Sequence, residues 1–125
     1  MPNFFERYFI MDIYGVYLVD FKKNVGRELN SKHYAVLLSK QFLKNEKTCI
    51  VVPITSKKPD KKYRGGITID CNKYQTNPTF PKAFIKVNKM REVSTLRFLG
   101  KEKIYDLDEE DILKLKNYIR QYLDL

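Results

Sequence analysis

Residues 33–56, HYAVLLSKQFLKNEKTCIVVPITS, hold two apolar runs divided by a polar spacer. The first, HYAVLLS (33–39), is almost continuously apolar, which marks a strand covered on both faces. The second, KTCIVVPITS (47–56), is β-branched and reads as another strand. Pro53 lacks a ladder donor, so this strand is expected to end, bulge or meet an edge there.

The pattern extends in both directions. Upstream, GVYLVDF (15–21) is a further strand, followed by KKNVGRELNSK (22–32), a polar stretch too long for a tight hairpin. Downstream, KKPDKKYRGG (57–66) combines Pro-Asp, Gly-Gly and five basic residues and reads as an exposed loop. GITIDC (66–71) alternates as a half-buried strand. KAFIKVNKMREV (82–93) is the fifth candidate, with Phe84, Lys86, Asn88 and Met90 on one parity. STLRFLGKEKI (94–104) could hold a short helix or turn.

Near the end, Asp108 precedes an acidic first turn and caps a helix whose apolar face is Ile112, Leu115, Ile119 and Tyr122/Leu123. About five short strands and one terminal amphipathic helix predict a mainly β chain with α, built as a small, strongly curved antiparallel sheet or barrel. The 125 residues fit a single domain, 1–125, that needs no metal or disulfide staple. Met11 stands just before the first strand pattern, so residues 1–10 are read as a possible appendage.

Cys49 and Cys71 lie in apolar or strand-like surroundings, as buried reduced thiols would. No CxxC motif or Cys/His cluster is present, which argues against a zinc site. Glu6, Arg7 and Asp12 interrupt the apolar start and argue against a signal peptide, and no uncharged run approaches the ~20 residues of a membrane span. A cytoplasmic protein is expected. The net charge of +9 is concentrated: residues 21–100 carry 18 Lys/Arg against 5 Asp/Glu, while both flanks are slightly acidic. Such a basic middle suits a polyanion, although a solvated basic surface would have the same composition.

Three segments, VYLVDFKKNVGREL, HYAVLLSKQFLKNEKTCIVVPITS and KAFIKVNKMREVSTLRF, resemble in order and separation the MazF/PemK (Kid) family of bacterial toxins. The resemblance spans roughly residues 14–125 and is most specific in the second segment. It implies an SH3-like barrel with a C-terminal helix, acting as a homodimer. It also implies a metal-independent, cofactor-free, sequence-selective endoribonuclease that cuts single-stranded RNA, often mRNA. A cognate antitoxin would place an acidic segment in the RNA groove.

Without a metal, cleavage uses the RNA's own 2′-OH and needs a base, an acid and positive or N–H stabilisation of the phosphorane. His33, the only histidine, falls where many relatives have an arginine followed by proline; here the run is Lys32-His33-Tyr34. An imidazole titrates near neutral pH and could act as base or acid, where arginine could only stabilise charge. A lone histidine could equally be a strand-end residue. Thr55 matches the family's Thr/Ser, able to donate to a non-bridging phosphate oxygen, though Thr is also at home in strands.

Arg27 and Glu28 match a turn lining the groove in relatives, where Glu28 could orient the imidazole or favour its charged form. Lys86 and Asn88 fall near positions that are arginine and aspartate in the Kid branch. The carboxylate is lost here, so phosphate binding by Lys86 and base-edge hydrogen bonding by Asn88 fit better. Arg91 matches a family arginine that binds RNA or buttresses the dimer. Lys32, Ser56, Lys57 and Lys58 complete the expected RNA contacts, with Lys61, Lys62 and Arg64 in the same basic loop and Tyr63 as a candidate stacking ring. Two other readings compete: a same-fold toxin that binds a protein such as gyrase, and a non-catalytic RNA-binding module.

Overall fold

Side-chain alternation along the first three strands sends two apolar sets to opposite faces of one sheet. The computed structural model describes residues 11–22, 32–40, 47–100 and 102–125. The strands are β1 (Gly15–Asp20), β2 (Lys32–Leu37), β3 (Thr48–Ser56), β4 (Ile67–Asp70), β5 (Lys82–Ile85), β6 (Arg91–Ser94) and β7 (Tyr105–Asp106). They run antiparallel in the order β4-β5-β3-β2-β1-β7, with β6 pairing β3 off that path. The helix, α1, spans Glu109–Tyr122. The possible appendage at residues 1–10, and Arg27 and Glu28, lie outside the described residues.

β3 does not end at Pro53. Its first half pairs with β6 (Thr48↔Ser94 to Val51↔Arg91) and its second half with β5 (Ile54↔Ile85 to Ser56↔Ala83). Between them the Pro53 carbonyl accepts from the Lys86 amide at 2.9 Å. In a strand the N–H and C=O of one residue point to the same side, so the missing donor faces the gap where β3 changes partner. On the other edge, β2 continues unbroken across Ala35↔Pro53.

The fifth candidate strand divides into two, and a two-residue β7 is added, so the sheet has seven strands rather than about five. The break is a 3-10 turn, Val87–Lys89, which buries Val87 completely in the same core as Ile85, as their shared parity predicts. Gly66 permits the close β4–β5 approach: a Cβ there would stand 1.8 Å from the Ile85 carbonyl oxygen. A second 3-10 turn, Thr95–Arg97, occupies the stretch expected to hold a short helix or turn.

Curling closes one core. β6 lies on one edge of β3, and beyond it Phe98 bridges Val19 while the Leu99 amide donates to the Leu18 carbonyl. The enclosed inner core is Tyr17, Val19, Phe21, Ala35, Leu37, Cys49, Val51 and Val93. The opposite faces of the same strands carry Val16, Val36, Val52 and Ile54 into an outer core shared with Ile69, Ile85 and Leu115. β2 is thus buried on both faces over Ala35–Leu37, as its apolar run requires. Cys49 and Cys71 are both buried, one in each core.

The Asp108 carboxylate caps α1 by accepting from the Asp111 amide at 2.8 Å. Leu115 is fully buried, with Ile112, Tyr118 and Ile119 packed beside it. Tyr122 and Leu123, expected on this face, are 50% and 49% exposed, because the helix meets the sheet only over its earlier turns. Asp111 is buried instead, and accepts from the Tyr74 hydroxyl and the Lys73 ammonium, the latter at 3.2 Å. Among the described residues, no helix is long and apolar enough to cross a membrane.

Candidate nucleic-acid interface

Strand register sets the first relationship. The last β2–β3 pair is Tyr34↔Ile54, and one step further the same register places His33 opposite Thr55. His33 also pairs with Val19 on β1, and Thr55 with Phe84 on β5, which in turn faces Thr68 on β4. Directly opposed residues share a face, so Val19, His33, Thr55, Phe84 and Thr68 form one row across the sheet. His33 and Thr55 are half-buried.

Phe21 ties two predicted residues together. Its ring meets the His33 ring edge-on at 6.3 Å, and the Arg91 guanidinium lies 5.8 Å from its centroid. Phe21 is fully buried and so provides a fixed support for both. Arg91 reaches this place because Val51↔Arg91 pairing puts it on the inner-core face.

The basic loop is more ordered than its composition suggests. Lys57 donates through Nζ to the Thr68 hydroxyl at 2.8 Å. Tyr63, a candidate stacking ring from the sequence, packs against Phe84 with centroids 5.3 Å apart. Its hydroxyl accepts from the Lys58 amide at 2.9 Å and donates to the Ser56 carbonyl at 3.2 Å. Tyr63 is therefore a strap across the loop, with its ring already occupied.

Lys86 sits half-buried at the start of its 3-10 turn, its amide on Pro53, two residues before Thr55. Asn88 packs over Gly65, whose φ of +86° leaves no room for a side chain there, and donates its amide to the Gly65 carbonyl at 2.9 Å. Asn88 thus belongs to the far end of the basic loop.

A cleft of about 530 Å³ opens at the ends of β2 and β3. Lys32, His33, Thr55, Ser56 and Lys58 line it together with residues 75–80. Its depth is lined by residues of the outer-core face, including Tyr34, Ile54 and Tyr105. Burial pushes the Tyr105 phenol and the Cys71 thiol above their ordinary pKa values, so both stay neutral at physiological pH. The cleft therefore combines neutral Tyr105 and Cys71 with the cations Lys32 and Lys58. The 75–80 wall was missed in the sequence because QTNPTF carries no charge and no motif; its one signal was Asn-Pro turn chemistry. Among the described residues, no group of three or more His, Cys, Asp or Glu is placed to hold a metal ion.

The model of the PemK-like, MazF-like toxins of type II toxin-antitoxin systems matches residues 13–123. Among solved structures, MazF from Deinococcus radiodurans superposes with a TM-score of 0.68 at 14% identity, covering 92% of this chain and 97% of that one. The Mycobacterium tuberculosis toxin MazF-mt6 superposes with a TM-score of 0.62 at 12% identity, covering 89% and 97%. At these identities the likeness is one of fold, a curled antiparallel sheet with a C-terminal helix. No curated protein matches significantly by sequence. By the match over nearly its whole length, the chain belongs to the PemK-like, MazF-like toxin family of type II toxin-antitoxin systems.

Proposed function

We propose that this protein is a metal-independent, sequence-selective endoribonuclease toxin that cleaves single-stranded RNA. Members of its family are endoribonucleases and are paired with an antitoxin. The observation that carries the reading is the β2–β3 register, which, continued one step beyond Tyr34↔Ile54, brings an imidazole and a hydroxyl to the inner-core face that Arg91 also occupies.

In this reading His33 takes the proton of the 2′-OH as that oxygen attacks phosphorus. The P–O2′ bond forms while the P–O5′ bond breaks, and the leaving oxygen takes up one proton. The products are a 2′,3′-cyclic phosphate and a 5′-OH end. The Thr55 hydroxyl donates to a non-bridging oxygen, and Arg91 and Lys86 supply positive charge as the phosphorane develops. Lys32, Ser56, Lys57, Lys58 and Asn88 bind the flanking chain. Arg27 contributes to RNA binding and Glu28 to catalysis. The protein works in the cytoplasm as a homodimer, and an acidic antitoxin segment silences it by occupying the basic groove.

The test is incubation with mixed-sequence RNA in EDTA, followed by mapping of the ends. Wild type should yield cyclic phosphate ends, while His33→Ala and Thr55→Ala should not. A folded wild-type protein that binds RNA but releases no such ends would sink the nuclease reading.

A further inference from the structure

One wall of the cleft plays no part in the proposed cleavage chemistry. Residues 75–80, Gln-Thr-Asn-Pro-Thr-Phe, carry two carboxamides, two hydroxyls and an aromatic ring, with no charge. The cations Lys32 and Lys58 line the same cleft. The lining thus combines cations suited to phosphate with neutral groups suited to a planar, hydrogen-bonding ligand.

We propose that the cleft is a nucleobase subsite: it takes one base of single-stranded RNA where the chain passes the ends of β2 and β3, and the Gln75 and Asn77 carboxamides read its edge. The proposal rests on the endoribonuclease reading and names where part of its sequence selectivity would reside. A carboxamide presents a donor and an acceptor together, the complement of a base edge. The aromatic residues Tyr34, Phe80 and Tyr105 lining the cleft offer the flat apolar surface that a splayed-out base seeks. Its volume, about 530 Å³, falls within the ~300–1,000 Å³ of ligand sites.

A reading wall must also be held still, and this one is clamped. The Cys71 amide donates to the Pro81 carbonyl at 2.9 Å, closing the base of the segment. The Tyr74 and Gln75 amides both donate to the Cys71 carbonyl. Tyr74 stacks on Tyr105 with centroids 4.6 Å apart, accepts from the Asp108 amide at 3.0 Å, and donates to buried Asp111. The polar cluster at the start of α1 thereby anchors the wall to the helix. Asn77 adopts φ +49°, a left-handed conformation that Asn tolerates, and Pro78 restricts the next residue. A wrong base would leave fixed polar groups unpaired, which is how a rigid site discriminates.

The test uses the full chain and a randomised RNA. Asn77→Gly keeps the left-handed backbone while removing one carboxamide, and Gln75→Ala removes the other. Both variants should still cut pooled RNA, with discrimination at one position beside the cut reduced about tenfold and the other positions unchanged. Cutting with wild-type preference at every position overturns the subsite. A second measurement needs no cleavage: oligonucleotides carrying a 5-iodopyrimidine or 8-azidopurine at successive positions are photo-crosslinked and the adducts mapped. Adducts on Phe80 or Tyr34 support the subsite, and adducts confined to the 57–64 loop overturn it. RNA that crosslinks at Phe80 yet is never cut removes the nuclease reading and leaves the base site standing.

Discussion

The Phe21 ring meets the ring of His33 edge-on, with centroids 6.3 Å apart and planes inclined at 61°. Phe21 is fully buried, so the contact transmits the rigidity of the inner core to a side chain at the cleft border. Phe21→Leu should remove the aromatic edge while keeping the site apolar. The expected result is a fall in kcat of about tenfold or more with little change in KM, because misplacing a reacting group is costly. Single-turnover cleavage and thermal melting, run together, separate this from simple destabilisation; an unchanged kcat would show that Phe21 does not position His33.

The proposed mechanism gives His33 a proton to move, and histidine and arginine differ in what they can do with one. His33→Arg should retain part of the activity by stabilising charge. Its pH profile should differ in shape from that of wild type, because a guanidinium does not exchange a proton in the working range. Identical profiles would mean that His33 moves no proton.

The charge cluster at the helix start makes an acid-stability prediction. Lys73 donates to the Asp108 carboxylate at 2.6 Å and holds its pKa below the ordinary carboxylate range. A carboxyl depressed in the folded state contributes stability above its unfolded pKa of about 3.9 and loses it as pH falls through the folded value. Asp108→Asn keeps a capping side chain without the charge. It should be less stable than wild type at neutral pH, and the difference should shrink below about pH 4. Denaturant melts at several pH values check the convergence.

Leu115 and Leu113 share a helix but not an environment: Leu115 is fully buried and Leu113 is 60% exposed. Leu115→Ala should cost about 2–5 kcal/mol through lost burial and a cavity in the outer core. Leu113→Ala should stay within about 0.5 kcal/mol in the monomer. Equal losses, measured by urea unfolding, would contradict the observed orientation of α1.

Local patterns were enough for the elements. Alternation in 15–21, the apolar runs at 33–39 and 47–56, and the 3.6-residue spacing after Asp108 are short-range properties that the backbone obeys. Local chemistry also failed where neighbours outvoted it. Tyr63, in a loop read as exposed, packs its ring against Phe84. Asp111, an ordinary first-turn acid by sequence, is buried because Tyr74 and Lys73 arrive from 37 and 38 residues away.

The sequence by itself determined the strands, the capped helix, the basic middle of the chain and the family to which they are similar. Those follow from periodicity, capping and residue order, which need no knowledge of distant partners. Only the tertiary structure decided that Pro53 lies where β3 exchanges β6 for β5, that the Phe21 ring meets both His33 and Arg91, and that residues 75–80 line one cleft with Lys32 and Lys58. Each of these joins residues from separate strands or loops. They depend on register and sheet curvature, which are set by the packing of two cores at once and are written in no single stretch of chain.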